Sequence, residues 1–214
     1  MTDEAAISAS DSNVSQKGKF YLIQPDIRGG GKGHGQEIAN EERLWAPGWV
    51  VMLPPDGTPG QYPETPHLVH VPNLGGMPRD LEGLGGTWIV SERARQVFES
   101  VDPEGFAFAA CDFTLADGSS GPQYYLCGVL RTLDALDEEA SKLKIIVGDD
   151  YLSGKVYSRN HVGGANLVFK ADVVGTGHVF RTPFSEDAFC DRALHDAIRD
   201  VGLTGVWLTD AADC

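Results

Sequence analysis

The chain has 214 residues, 42% of them apolar and 22% charged, enough for one well-cored domain. Its 26 Gly and 12 Pro favour loops and tight turns over a helical bundle or coiled coil. With 31 acidic against 17 basic residues the formal charge is −14, which opposes attachment to nucleic acid or an anionic membrane and suits a basic protein partner.

Residues 1–18 are rich in Ser, Ala and acids and are expected to form a disordered acidic tail. They carry no basic n-region followed by an apolar core, and no run approaches the roughly 20 apolar residues of a membrane span, so a cytoplasmic protein is expected. KFYLIQPD, residues 19–26, is an aromatic and β-branched run ended by Pro25, and predicts a strand. The glycine-rich GGGKGHG, residues 29–35, predicts a mobile surface loop. It is not a phosphate-binding loop, since Lys32 is followed by Gly33 and no Ser or Thr is placed to hold magnesium. A short helix is expected over residues 37–44 and a strand over WVVML, residues 49–53. The proline-rich 54–66 must be a loop, LVHV at 68–71 reads as an edge strand, and 72–86 as a turn.

The first stretch with a clear plan is 87–113. A short strand ends at Ser91, a good N-cap, with Glu92 in the favourable first turn. Ala94, Val97, Phe98 and Val101 then bury one helical face, Pro103 and Gly105 end the helix, and FAFAACDF opens a strand. TLADGSSGP, residues 114–122, is a hairpin turn and QYYLCGVL its returning partner. Residues 131–144 predict a short helix capped by Asp134 or Asp137. A strand and turn follow at 145–158, a turn at NHVGG, a strand over NLVFKADVV at 166–174, and a short strand in HVFRTP. The last unit, 187–210, echoes the first: Asp191 as cap, Leu194, Ala197, Ile198 and Val201 as the buried face, Gly202 as the stop, GVWLTD as the return strand. This echo is either one α/β unit used twice or an internal near-repeat.

The pattern is α+β, with eight to ten short strands, mixed or mainly antiparallel, and two to four helices. One core over 19–214 is favoured; a smaller N-terminal lobe over 19–66 is the alternative division. No linker marks a boundary after residue 19.

Catalytic and metal chemistry find little support. A three-residue offset on an extended segment would point His67 and His70 to opposite faces, and no HExxH or Cys-containing ligand spacing occurs, so no metal or cofactor is expected. The serines of DGSSG and YLSG lie in turns, without a GxSxG elbow. None of Cys111, Cys127, Cys190 and Cys214 forms a CxxC pair. The first three read as buried thiols, Cys214 as an exposed reactive one, and a Cys190–Cys214 bridge is not expected. The acids say more, because 134–150 and 186–213 are both carboxylate-rich. The bland reading is a solvated face; the sharper one is an anionic docking surface for a basic protein, with Tyr62, Trp45 or Trp49 as an anchor, although Trp45 and Trp49 read first as core residues. Arg181, at the end of an apolar strand, is expected to pair with Asp134 or Asp137 as a structural ion pair, in preference to standing poised for an anionic substrate.

Three segments resemble a known family: GTWIVSERARQVFE (86–99), YYLCGVLRTLDALDEEASKL (124–143) and HVFRTPFSEDAFCDRALHDAIRDVGLTGVWL (178–208). They look like the bacterial polymorphic-toxin immunity proteins of family eleven. Ser91 matches the first helix cap; Asp134, Ala135, Leu136, Asp137 and Ser141 match its aspartate-rich signature. Phe180 and Arg181 match an FR pair, and Leu203, Thr204 and Gly205 a terminal turn. Trp207 stands where Phe is usual, and Val201 where a small residue is usual. The resemblance covers about two-thirds of the chain. It implies a non-enzymatic cytoplasmic protein that binds a cognate toxin stoichiometrically and protects the producing cell, without catalytic residues of its own. Asp137, Glu138 and Glu139, with Lys32 and His34 on the glycine-rich loop, are then the toxin-contact candidates. Asp134, Ser141, Arg181 and Gly205 maintain the scaffold. The rivals are a hydrolase or transferase assembled from distant residues, and an adaptor for a partner other than a toxin.

Overall fold

A computed structural model describes residues 17–28, 35–44, 59–84, 87–148, 154–159 and 164–214. Its strands are β1 (Phe20–Pro25), β2 (Gln36–Ile38), β3 (His67–His70), β4 (Leu81–Leu84), β5 (Thr87–Ser91) and β6 (Phe106–Thr114). They continue as β7 (Tyr124–Val129), β8 (Lys144–Val147), β9 (Lys155–Ser158), β10 (Val179–Arg181), β11 (Ala188–Asp191) and β12 (Val206–Asp210). The helices are α1 (Glu41–Leu44), α2 (Glu92–Val101), α3 (Ala171–Val174) and α4 (Arg192–Val201). A six-stranded sheet runs β2-β3-β6-β7-β5-β4, a four-stranded sheet β10-β11-β1-β12, and β8 pairs with β9 alone. Pairing is antiparallel except between β3 and β6.

The two echoing stretches fold as the same split unit. β5 and β6 both lie antiparallel to β7 between them, and β11 and β12 both lie antiparallel to β1. Each unit therefore inserts a strand from elsewhere between the two that its helix connects. Local chemistry sets each helix. Ser91 Oγ accepts from the Ala94 N–H at 3.1 Å, and Asp191 Oδ1 from the Leu194 N–H at 3.1 Å, so both caps satisfy an otherwise orphaned donor. Gly202 ends α4 at φ +67°, where a residue without Cβ carries no steric penalty.

Alternation along the strands divides the core. Tyr21, Ile23, Trp88, Val90, Cys127, Ala188 and Cys190 face α2 and α4, where Ala94, Val97, Phe98, Leu194 and Ile198 meet them. The other face of β1, β10 and β11 (Phe20, Leu22, Phe180, Phe189) packs on Leu136, Leu167 and Phe169. The other face of β5, β6 and β7 (Ile89, Cys111, Phe113, Leu126) packs on Ile38, Leu44, Tyr62 and Leu68. Phe98, Ile89, Leu126 and Leu194 are fully buried, each contributing about 1.5–3 kcal/mol of transfer free energy.

Two buried carboxylates fasten these parts. Asp80 accepts from the Thr204 N–H and hydroxyl, both at 2.8 Å, from Ser91 Oγ at 2.8 Å and from Arg93 at 3.2 Å. Asp102, which follows α2, accepts from Arg131 at 2.7 and 3.2 Å and from the N–H groups of His178 and Val179 at 2.8 and 3.1 Å. Burial alone would push both carboxyls up. The Thr204, Ser91 and Arg93 donors at Asp80, and the Arg131, His178 and Val179 donors at Asp102, bring both below the usual carboxylate range.

Several expectations are corrected. Twelve short strands are present among the described residues, more than eight to ten. Residues 36–38 form β2 and only 41–44 are helical, because β2 pairs with β3. β3 is interior, since β6 takes its other edge. Residues 81–84 form β4, paired with β5, inside what reads as a turn. Residues 131–144 form no helix, because their backbone bridges to 166–170 and to Arg181 instead. Residues 166–174 are two isolated bridges followed by the single turn α3, not a strand. The proposed strand at 49–53 lies outside the described residues.

Candidate functional site

The carboxylate-rich segment lies across the four-stranded sheet, on the side away from α2 and α4. Ala135 and Leu136 are its buried face, covering Phe169 and Phe180, which leaves Asp134 exposed. Asp137 turns the chain. Its Oδ1 accepts from the N–H groups of Glu139 at 3.2 Å and Ala140 at 3.1 Å, and its own N–H donates to the Val168 carbonyl at 2.8 Å. Ser141 locks the far end, its Oγ accepting from the Val168 N–H at 2.9 Å and donating to the Val168 carbonyl at 3.4 Å.

The three contact candidates therefore differ in circumstance. Glu138 forms an ion pair with Lys155 and accepts from the Tyr157 hydroxyl, and these partners hold its carboxyl below the ordinary range. Asp137 is half-buried and occupied by the turn. Glu139 is exposed beside them. Lys155 and Lys170 both act on Glu138, so the tertiary structure sets cations among acids that look concentrated in the sequence. Lys32, His34, Trp45 and Trp49 lie outside the described residues. Tyr62 is 7% exposed and packs in the core beneath the six-stranded sheet, so it is not a surface anchor.

Arg181 makes no ion pair with Asp134 or Asp137. Its backbone does the joining: the Leu133 N–H donates to the Arg181 carbonyl and the Arg181 N–H to the Arg131 carbonyl, both at 2.8 Å. Burial pulls its guanidinium below the usual range, and its Nε is buried without a hydrogen-bond partner. Sequence reasoning missed the Arg that does pair here, Arg131 with Asp102, because 29 residues separate them. Gly205 stands at φ +78°, and a Cβ there would lie 2.2 Å from the Leu81 carbonyl oxygen.

The cysteines are free thiols. Burial pushes Cys111 up to about 12 and raises Cys127 and Cys190 as well. Cys214 is half-buried and pushed up to about 11 by its surroundings, so it is not the exposed reactive thiol expected. His67 Nε2 lies 2.9 Å from Thr114 Oγ1. Among the described residues no group of three or more His, Cys, Asp or Glu is placed to hold a metal, and no helix is long and apolar enough to cross a membrane.

The turn thus presents one exposed carboxylate, Glu139, beside the occupied Asp137 and Glu138. The sequence model of the Immunity protein family (Imm11) matches residues 19–213, nearly the whole chain. The chain belongs to that family: it is an immunity protein, which neutralises a cognate toxin. No curated protein matches it.

Proposed function

We propose that this immunity protein neutralises its toxin as a stoichiometric, non-enzymatic cytoplasmic inhibitor, covering the toxin with an acidic surface and needing no cofactor. The observation that carries the reading is the family match over 19–213. The charge of −14 supports the rest, because it accelerates encounter with a basic partner and repels nucleic acid. A basic toxin that acts on nucleic acid is the simplest electrostatic match. Glu139 is the leading contact, exposed on the turn that Asp137 and Ser141 fix. Asp137 and Glu138 border it, and Lys32 and His34 add contacts from the glycine-rich segment. These contacts belong to a single domain over 19–214, to which Lys17 and Gly18 are joined through Asp213 and Asp210.

The test is a pull-down of the tagged protein from its native host, with partners identified by mass spectrometry, followed by co-expression with the recovered toxin. Recovery of one stoichiometric toxin and survival of co-expressing cells are expected. Failure to recover a toxin shown to be expressed in the same cells would overturn the reading.

A further inference from the structure

The strands β8 and β9 form a two-stranded sheet of their own. A ribbon of two strands is marginal in water unless something covers or extends it. Leu143, Ile145 and Tyr157 lean on the core around Phe169, which covers one face of the ribbon. Strand alternation puts Val147 on the same face as Leu143 and Ile145, but past the end of that core, and it is 77% exposed.

The hydrogen-bond register shows which edge is open. β8 and β9 pair antiparallel, with Ile145 opposite Tyr157 and Val147 opposite Lys155. The Tyr157 N–H donates away from β8, to the Phe184 carbonyl at 2.8 Å, so β9 has a neighbour on its outer side. The Gly148 N–H donates to the Gly154 carbonyl at 3.1 Å. Both bonds place Lys144 and Ile146 on the shared ladder and turn the backbone of Ile145 and Val147 outward. Leu143 shares that outward setting, because Lys142 exchanges its two bonds with Asn166 on the inner side, at 2.7 and 2.9 Å. Among the described residues, the outward N–H and C=O groups of Leu143, Ile145 and Val147 have no partner. Such a row, flanked by apolar side chains, is a template for another strand.

The sequence of this edge, KLKIIVG over 142–148, fits its own copy. Antiparallel pairing about a two-fold axis at Ile145 sets Ile145 against the partner's Ile145 and Val147 against the partner's Leu143. Every outward position then exchanges backbone bonds, and the side chains that meet on the core face are all apolar. Val147 gains the neighbour its own chain does not supply. On the other face Lys144 meets the partner's Ile146. An axis moved to Lys144 would set two lysines directly opposite each other, so this residue selects the register. β12 also ends a sheet, but its side chains are all half-buried, and the same operation about Leu208 would set the charged Asp210 against Val206.

We propose that β8 is a self-association edge: two copies of the chain join β8 to β8 about an axis at Ile145, making one continuous sheet in the order β9-β8-β8-β9. The short edge makes the dimer a weak one. Each copy carries a charge of −14, and the two Lys144 side chains are diagonal neighbours, so charge opposes the pairing and added salt tightens it. Contact between an acidic surface and a basic toxin has the opposite salt dependence.

The test is sedimentation velocity of the full chain from about 10 μM to 1 mM, at low and high salt. A monomer–dimer equilibrium that tightens with salt is expected. Val147→Pro removes an outward N–H that takes no part in the β8–β9 ladder, and Val147→Lys sets a cation against the partner's Leu143. Each should weaken the dimer by about tenfold or more. Val147→Lys changes an exposed side chain and should leave the melting temperature unchanged, which keeps the test sound if proline disturbs the hairpin. In hydrogen exchange, the Ile145 and Val147 amides should gain protection as protein concentration rises, while the Tyr157 amide stays constant. A monomer at every concentration, a dimer that both variants leave as tight, or one that loosens with salt would overturn the proposal. So would protection of Ile145 and Val147 that appears only when the toxin is added, since the edge would then receive a toxin strand.

Discussion

Asp80 and Thr204, 124 positions apart in the chain, are joined twice, the Asp80 carboxylate accepting from both the N–H and the hydroxyl of Thr204 at 2.8 Å. The same carboxylate accepts from Ser91, the cap of α2, while Thr204 follows α4. One buried side chain thus ties the start of one split unit to the end of the other helix. Asp80→Ala, which strands these donors, should cost about 2–4 kcal/mol in chemical denaturation, and Thr204→Val, which removes only the hydroxyl, about 0.5–1.5 kcal/mol. A double-mutant cycle should give a coupling clearly different from zero. Additive effects would show that the contact contributes nothing as a pair.

Acid should unfold the protein through these groups. Asp80 and Asp102 both have folded pKa values below those of the unfolded chain, so their stabilisation is fully present above about pH 4 and is lost as pH falls through the folded values. Melting temperature should therefore decline steadily below pH 4. The decline should be shallower in Asp80→Asn and Asp102→Asn than in the wild type; parallel profiles in all three would exclude these carboxylates as its source.

Gly202 and Gly205 offer a matched comparison. Both have positive φ, at +67° and +78°, yet a Cβ at 202 meets nothing within 4 Å, whereas one at 205 would strike the Leu81 carbonyl at 2.2 Å. Gly202→Ala should cost only the left-handed strain of about 1–2 kcal/mol. Gly205→Ala must also push β4 away and should lower the melting temperature considerably more. Equal losses would mean that the turn moves freely against β4.

The carboxylates at 138 and 139 should separate by their attachments. Glu138→Lys sets a second cation against Lys155 and leaves the Tyr157 hydroxyl without its acceptor, so a measurable fall in melting temperature is expected. Glu139→Lys, on an exposed side chain, should leave the melt within about 0.5 kcal/mol of wild type and weaken toxin binding most at low salt. Toxin affinity unchanged by Glu139→Lys at every ionic strength would remove this turn from the interface.

Thiol labelling should be slow throughout. With Cys111 pushed up to about 12 and Cys214 to about 11, and Cys127 and Cys190 buried and raised, no cysteine holds much thiolate at neutral pH. Native protein should react sluggishly with a disulfide reagent, and denatured protein should release four thiols at once. Rapid labelling of one cysteine in the native state would contradict the burial described.

What the sequence determined is whatever its near neighbours control. Ser91 and Asp191 cap their helices through donors three residues away, helical spacing finds the buried Ala94, Val97, Phe98, Leu194 and Ile198, and Gly202 stops α4, all within reach of a single local window; Val201, expected on the buried face, is 43% exposed because the last turn of α4 runs beyond the core. The order of segments around Ser91, Asp137, Ser141 and Arg181 carried the family as well. The tertiary structure decided what depends on distant partners. Residues 81–84 look like turn, yet become a strand because β5 supplies a ladder. Residues 131–144 carry a good helix cap, yet Asp137 spends its carboxylate on a tight turn while the backbone bridges to 166–170. Arg181 has acids near it in the predicted plan and none in ion-pair contact in the fold, because burial, not proximity in sequence, sets which charges meet. Propensity and capping act over three or four residues, whereas strand pairing and charge matching are settled only when the chain closes on itself.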